Sequence, residues 1–480
     1  MAASSTGDLT QSSGLALAHA IRTGETTSTD VLEAHLALLD RVNPRINAVV
    51  AERREEARAE AAAADARVAA AGDDEDLPPL LGVPCTIKES TMVAGMPNSA
   101  GLVARKDYRA ERSAPVVERI VAAGAIPIGV TNTSELTMWV ESTNKLYGLT
   151  SNAYDQTRSA GGSSGGEGAV VGSGASPFGI GSDIGGSIRI PSFFNGVFGH
   201  KPTPCLVPAS GLYPPAVGDS PKLLGVGPLA RRAEDLMPIL RAIAGPDAGD
   251  PLCREMPLGD PAEVSLEGLD VMVSTGFAFH PVARELEAAR RRAAEALERA
   301  GASVRDLPLR RLRRAHELYV IALKYVSPAT VANMLTDAGV TPPRGREYLR
   351  RDGPHTGPTR FMLAVERLPT PEGVVRRMLA AGKALGEELI ETIGDGVLLH
   401  PALHRVAPRH GTLIRRLRAI APMTVFNLAG VPVTQTPLGL GSKGLPLGIQ
   451  VVVAPGNDHV SIAAALELER AFGGWVPPGA

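Results

Sequence analysis

Cysteine is scarce in this chain of 480 residues: Cys85, Cys205 and Cys253 are the whole complement. Three scattered thiols supply neither a disulfide framework nor a Cys-rich metal site, and they read as small apolar residues in a reducing compartment. Charge imbalance is missing too. The 49 basic residues nearly cancel the 51 acidic ones, and the net charge of −2 gives no general pull toward nucleic acid or an anionic membrane. No apolar run reaches the roughly 18 residues a spanning helix needs. The opening MAASSTGDLTQSSG lacks a charged head followed by an apolar core, so it does not read as a secretory signal. A phosphate-binding P-loop is also lacking. The expected location is the cytoplasm.

What remains is an ordinary globular composition, 44% hydrophobic and 21% charged, on a chain long enough to bury a core without staples. Residues 28–50 carry Val31, Leu32, Leu36, Leu39 and Val42 at helical spacing, with Ser28 or Thr29 as cap and Pro44 as terminator. Residues 51–71 continue as an Ala/Glu/Arg helix, and Gly72-Asp73-Asp74-Glu75-Asp76 is a loop. A short buried strand, Gly82 to Lys88, a helix over 114–123 and a strand over 125–130 set up a β–α–β rhythm. It returns as strand 269–274, helix 281–300 and strand 302–308. Residues 310–380 read as helical, and the tail as strand 448–453 followed by helix 461–472. No repeat or interdomain linker interrupts the chain. The expected fold is α/β, one large domain with a mixed, mostly parallel β-sheet covered by helices on both faces.

From Ser159 to Pro191 the composition turns to glycine and serine, interleaved with Ala169-Val170-Val171, Ile184, Ile188 and Ile190. A linker would lack those apolar residues, so tight turns between buried elements are expected. Two motifs stand out, Gly161-Gly162-Ser163-Ser164-Gly165-Gly166 and Gly181-Ser182-Asp183-Ile184-Gly185-Gly186-Ser187. Glycine before a serine lets consecutive N–H groups converge on one point, which is what a tetrahedral oxyanion requires. The N–H groups of Ile184, Gly185, Gly186 and Ser187 are the natural donors. Two rivals carry less. The G-x-S-x-G elbow needs an apolar strand ahead of it, and residues 155–160 read as a loop. The S-x-x-K pattern at Ser142-Thr143-Asn144-Lys145 leaves Gly185-Gly186-Ser187 without a role.

Residues 161–203, the upstream Gly82 to Glu89 and the downstream Gly444 to Gln450 together resemble the amidase signature family over nearly the whole chain. Asp183-Ile184-Gly185-Gly186-Ser187, Gly199-His200-Lys201-Pro202 and the end from Gly456 to Trp475 are most similar to its fatty-acid-amide-hydrolase-like branch. The resemblance implies one amidase domain over 1–480, with N-terminal helices at 28–75, a catalytic core at 80–205 and a variable substrate-pocket region at 310–430. It implies Ser187 as acyl-forming nucleophile, Ser163 as a bridging serine with a cis peptide, and Lys88 as terminal base. Ile184, Gly185, Gly186 and Thr137 are implied oxyanion or substrate contacts, and Ser164, Asp183 and Arg189 supporting residues.

A serine hydroxyl needs an adjacent base, and lysine serves only when neutral. Lys88 follows the apolar Leu80, Leu81, Val83 and Ile87, and burial there would lower its ordinary pKa of about 10.4. His400, His404 and His410, separated by prolines and without carboxylates, read as a pocket loop, so no metal is expected, nor any organic cofactor. Arg310-Arg311-Leu312-Arg313-Arg314 reads as a solvated helix face rather than a nucleic-acid contact. The expected activity is hydrolysis of carboxamide C–N bonds, with esters and carbamates (urethanes) as further small-molecule substrates. The alternative is an amidotransferase subunit working in a complex on aminoacyl-tRNA. A dead amidase fold used for binding is disfavoured because Lys88, Ser163 and Ser187 are all present. No membrane span is expected, and a homodimer stays open. An apolar or aromatic acyl group is expected, walled by Met138-Trp139-Val140 and by Leu318, Tyr319, Ile321, Tyr325 and Phe426.

Overall fold

The computed structural model describes residues 9–72, 75–275, 281–309, 312, 314–326, 330–343, 345, 347 and 353–479, with backbone alone at 414–417. The first eight residues, Asp73 and Asp74 of the acidic loop, and Arg310, Arg311 and Arg313 of the basic run lie outside that set.

The first long helix spans Ser28–Ile46 and buries Val31, Leu32, Leu36 and Leu39. Its cap is neither Ser28 nor Thr29. Thr27 accepts from the Asp30 N–H, because Ser28 Oγ is committed to the Gly82 carbonyl at 2.8 Å and Thr29 Oγ1 to Asp65. Pro44 sits inside the last turn rather than ending the helix, and Asn47 closes it in the left-handed conformation. The chain then makes strand β1, Val49–Glu52, before the Ala-rich helix Arg54–Ala70, where the sequence suggested uninterrupted helix.

The first part of the chain supplies β2 (Pro84–Lys88) and β3 (Ile126–Thr131), then a two-stranded ribbon of β4 (Thr143–Asn144) and β5 (Gly148–Leu149). The glycine-rich region contributes β6 (Phe178–Asp183) and β7 (Phe198–Lys201), followed by β8 (Gly225–Ala230). Later come β9 (Asp270–Thr275), β10 (Ser303–Pro308), β11 (Val397–Pro401), β12 (Val433–Leu440) and β13 (Pro446–Val452). Eleven strands form one mixed sheet in the order β1-β3-β2-β6-β8-β7-β12-β13-β11-β9-β10. Parallel pairing joins β3, β2 and β6 near one edge and β11, β9 and β10 at the other. These are the two β–α–β stretches legible as a rhythm. The centre, β6-β8-β7-β12-β13, is antiparallel.

Helices flank this sheet in a single domain. One apolar cluster packs helices Gly14–Arg22, Pro115–Ala122 and Leu236–Ile243 on β2, β6 and β8. Another packs helices Arg284–Arg299 and Asp458–Phe472 against β9, β11 and β13. Among the described residues, no helix is long and apolar enough to cross a membrane.

Candidate active site

Parallel strands end at a common edge, and here that edge gathers the two motifs. β2 and β6 pair in register at Ile87 and Ile180, so β2 delivers Lys88 beside the end of β6 at Ser182 and Asp183. Lys88 is fully buried, and its Nζ lies 2.7 Å from Ser163 Oγ and 3.0 Å from Ser182 Oγ. Burial lowers its pKa to about 7, with the charges of Asp183 and Glu167 opposing the shift. The neutral amine is therefore accessible near physiological pH.

The Gly162–Ser163 peptide is cis. Ser142 braces the turn from below, donating from Oγ to the Ser163 carbonyl (2.8 Å) and accepting from the Gly165 N–H (2.8 Å). Helix Gly165–Gly172 starts directly after Ser164. The Ser164 N–H donates to the Ser187 carbonyl at 3.2 Å, joining the two motifs through backbone, and Ser164 Oγ donates to the Ser182 carbonyl. Ser187 retains 7% of its surface accessible, and its hydroxyl has no hydrogen-bond partner among the described residues.

The turn before Ser187 is held by Asp183. Its Oδ1 accepts from the Gly186 N–H (2.7 Å) and its Oδ2 from the Ile188 N–H (3.1 Å). Arg189 grips both oxygens at 3.0 Å, and Asn427 Nδ2 adds a further donor. Burial alone would raise this carboxyl, but the Arg189 guanidinium more than offsets it and holds Asp183 well below the carboxylate range. Arg189 is itself tied to the Gln450 and Asn427 side chains and to the Met423 carbonyl. One of the expected donors is engaged elsewhere in this arrangement. The Gly186 N–H is consumed by Asp183, because the glycine (φ +113°) turns its amide back toward the carboxylate. Among the described residues the N–H groups of Ile184, Gly185 and Ser187 stay uncommitted, and Ile184 and Gly185 are only half-buried.

Several contributing residues give little signal in the sequence. Ser182 lies inside one of the two motifs, where nothing assigns it a role. Ser142 stands out only as part of S-x-x-K. Glu167 is fully buried, takes hydrogen bonds from Thr86 (2.6 Å) and Thr131 (2.7 Å), and has its pKa pushed up to about 7 by burial. A Cβ at Gly179 would come within 1.8 Å of its carboxylate, so that glycine makes the room. The expected pocket walls separate. Tyr319 donates its hydroxyl to the Ile184 carbonyl at 2.8 Å. Trp139 and Val140 join the core cluster with Ile190, Phe193 and Met423. Phe426 is core, stacked edge-on against His400, and Tyr325 is 40% exposed. Leu318 is buried and packs near Gly382. His400 lies on β11 rather than in a loop, and burial keeps it neutral with a pKa of about 3. Among the described residues no group of three or more His, Cys, Asp or Glu gathers as metal ligands would. A cavity of about 580 Å³, lined by Phe194, Leu403, His404, Arg405 and Leu413 among others, includes none of Lys88, Ser163 or Ser187.

Residues 30–461 match the family model described as amidase. The chain is 41% identical to human fatty-acid amide hydrolase 2, covering 97% of this chain and 90% of that protein. It is 32% identical to a glutamyl-tRNA(Gln) amidotransferase subunit of Anaeromyxobacter dehalogenans, over 93% of each. The solved structure of 6-aminohexanoate cyclic dimer hydrolase complexed with substrate superposes with a TM-score of 0.83 at 28% identity, covering 98% of this chain and 99% of that one.

Proposed function

The chain belongs to the amidase family and is a hydrolase of carboxamide C–N bonds, and on that premise we propose that Ser187 is its nucleophile, activated by neutral Lys88 through Ser163. The observation that carries the reading is the 2.7 Å contact between Lys88 Nζ and Ser163 Oγ in a site where burial brings the lysine to about 7. Lys88 takes the Ser163 proton while Ser163 takes the one on Ser187. Ser187 Oγ then bonds to the substrate carbonyl carbon. The negative charge on the former carbonyl oxygen develops facing the N–H groups of Ile184, Gly185 and Ser187. The C–N bond breaks as Ser163 returns a proton to the departing amine and Lys88 restores it to Ser163. Water attacks the acyl-enzyme by the same relay, releasing a carboxylic acid and regenerating Ser187.

Esters and carbamates pass through the same tetrahedral species, so they are proposed as further substrates, with apolar or aromatic acyl groups preferred. Thr137 is proposed to meet the substrate through its backbone carbonyl, since its N–H is bonded to the Ser134 carbonyl at 2.9 Å. The near-neutral chain is proposed to work in the cytoplasm without nucleic acid. The purified single chain should hydrolyse hexanoyl and benzoyl para-nitroanilides in preference to the succinyl compound. Preference for the succinyl compound would overturn the substrate class. No turnover without partner chains would favour an amidotransferase subunit.

A further inference from the structure

Two residues before Thr137 stands a side chain that has nothing to do with the proton relay. Glu135 is 2% exposed, and its carboxylate is filled by three donors from one distant segment. His355 Nδ1 lies 2.7 Å from Oε1, while the Thr356 N–H (2.7 Å) and Thr359 Oγ1 (2.9 Å) donate to Oε2. That segment opens the helix Gly357–Glu366, whose positive end favours the carboxylate. At the other end of this helix, Glu366 accepts from the Val331 and Ala332 N–H groups, so helix Val331–Asp337 is knit into the same unit.

The two residues after Glu135 are strained. Leu136 (φ +54°) and Thr137 (φ +58°) both occupy the left-handed region, and for a β-branched threonine that is an outlier its surroundings must hold. The holding contacts come from two sides. The Leu136 side chain packs with Leu102 and with Val331, Leu335 and Leu363 of the helical unit. Its N–H donates to the Ala100 carbonyl at 2.8 Å. Ala100 (φ +48°) is in turn fixed through its own N–H by buried Glu89, the residue next to Lys88, which also accepts from Ser99 and Tyr147.

We infer that Glu135 is a positioning residue: it latches the helix pair Val331–Asp337 and Gly357–Glu366 onto the Leu136-Thr137 turn, and that docking fixes the turn against which substrate is held. The inference rests on the reading that this site hydrolyses amides. Phosphonylation of wild-type Ser187 by a fluorophosphonate tests that reading separately.

The experiment compares full-length wild type with Glu135→Ala, Glu135→Gln and Thr359→Val, by hydrogen exchange and by steady-state kinetics on hexanoyl para-nitroanilide. For Glu135→Ala, amides of 353–366 should exchange at least about tenfold faster, with β2 and β6 unchanged. Its kcat/KM should fall about ten- to a hundredfold, mainly through KM, the range expected for hydrogen bonds to a charged group. Glu135→Gln should recover part of the loss, because its carbonyl oxygen still accepts. Thr359→Val, which keeps the carboxylate and two of its donors, should show the same changes at several-fold size and carries the test if Glu135→Ala does not fold. Faster exchange with wild-type kinetics would overturn the inference, as would unchanged exchange in 353–366.

Discussion

The stretch from Ser159 to Pro191 and the helices Ala315–Tyr325, Val331–Asp337, Gly357–Glu366 and Glu372–Ile393, with the described residues between them, are built on opposite plans. In the first, every residue is buried except Ser173, Ile184 and Gly185, which are half-buried, and two of those three form the turn proposed to receive the oxyanion. In the second, the 22-residue helix Glu372–Ile393 buries only Val375, Gly382, Gly386, Leu389 and Ile393, and Phe361 and Leu368 stand exposed. Where nearly every atom has a neighbour, a residue's identity is fixed by several contacts at once. Where one stripe is covered, most positions are free, and influence on chemistry passes through a few points such as Tyr319 on the Ile184 carbonyl.

The contrast is broken most severely at the reacting atoms. Ser187→Ala should lower kcat by about 10⁴- to 10⁶-fold in steady-state assays with the fold retained. Asp183→Asn strikes the buried scaffold instead, leaving the Arg189 charge uncompensated with no solvent to take it up. A loss of about 3–5 kcal/mol in denaturant unfolding is expected. Tyr319→Phe removes one hydrogen bond between the variable segment and the oxyanion turn. It should cost about tenfold in kcat/KM or less, with unfolding stability changed by about 1 kcal/mol. Leu368→Ala, on the 63%-exposed side chain, should stay within about 0.5 kcal/mol and leave the kinetics alone. If it disturbed the rate as much as Tyr319→Phe, the distinction between the regions would fail.

Stability against pH sharpens the same contrast. Lys88 has a folded pKa of about 7 against 10.5 in the unfolded chain, so the unfolded state binds the extra proton in between. Its burial therefore destabilises the fold fully below about pH 7, and the penalty fades as pH rises toward 10.5. Lys88→Met should be more stable than wild type at pH 7 in thermal unfolding, with the gain shrinking at higher pH.

What can be read in the sequence follows the same division. Lys88, Ser163 and Ser187 stand out because glycine-rich motifs surround the serines and an apolar strand carries the lysine. The roles proposed for them follow from the resemblance to the amidase signature family, and the structure brings Lys88 and Ser163 within 2.7 Å. The amide-donor set is legible only in part. Nothing in Gly185-Gly186 says which N–H turns back to Asp183, since that depends on the φ that Gly186 adopts. Strand β1 is hidden, as four residues between two helices carry too little periodicity to register. Thr27 yields the capping role to its neighbours when only local sequence is weighed, because Ser28's attachment to Gly82 is a contact 54 residues away. Glu135 gives no signal at all. Its partners lie some 220 residues downstream, in a segment where helical spacing distinguishes covered from exposed positions but not what covers them.

The relay from neutral Lys88 through Ser163 to Ser187 is tested most directly by the pH dependence of fluorophosphonate modification, with the modified residue mapped by peptide mass spectrometry. Ser187 Oγ should displace fluoride and carry the phosphonyl group, at a rate that rises through about pH 7 as Lys88 loses its proton and then levels off. An adduct on Ser163 or Ser164, or a Ser187 rate flat between about pH 5 and about pH 9, would contradict it.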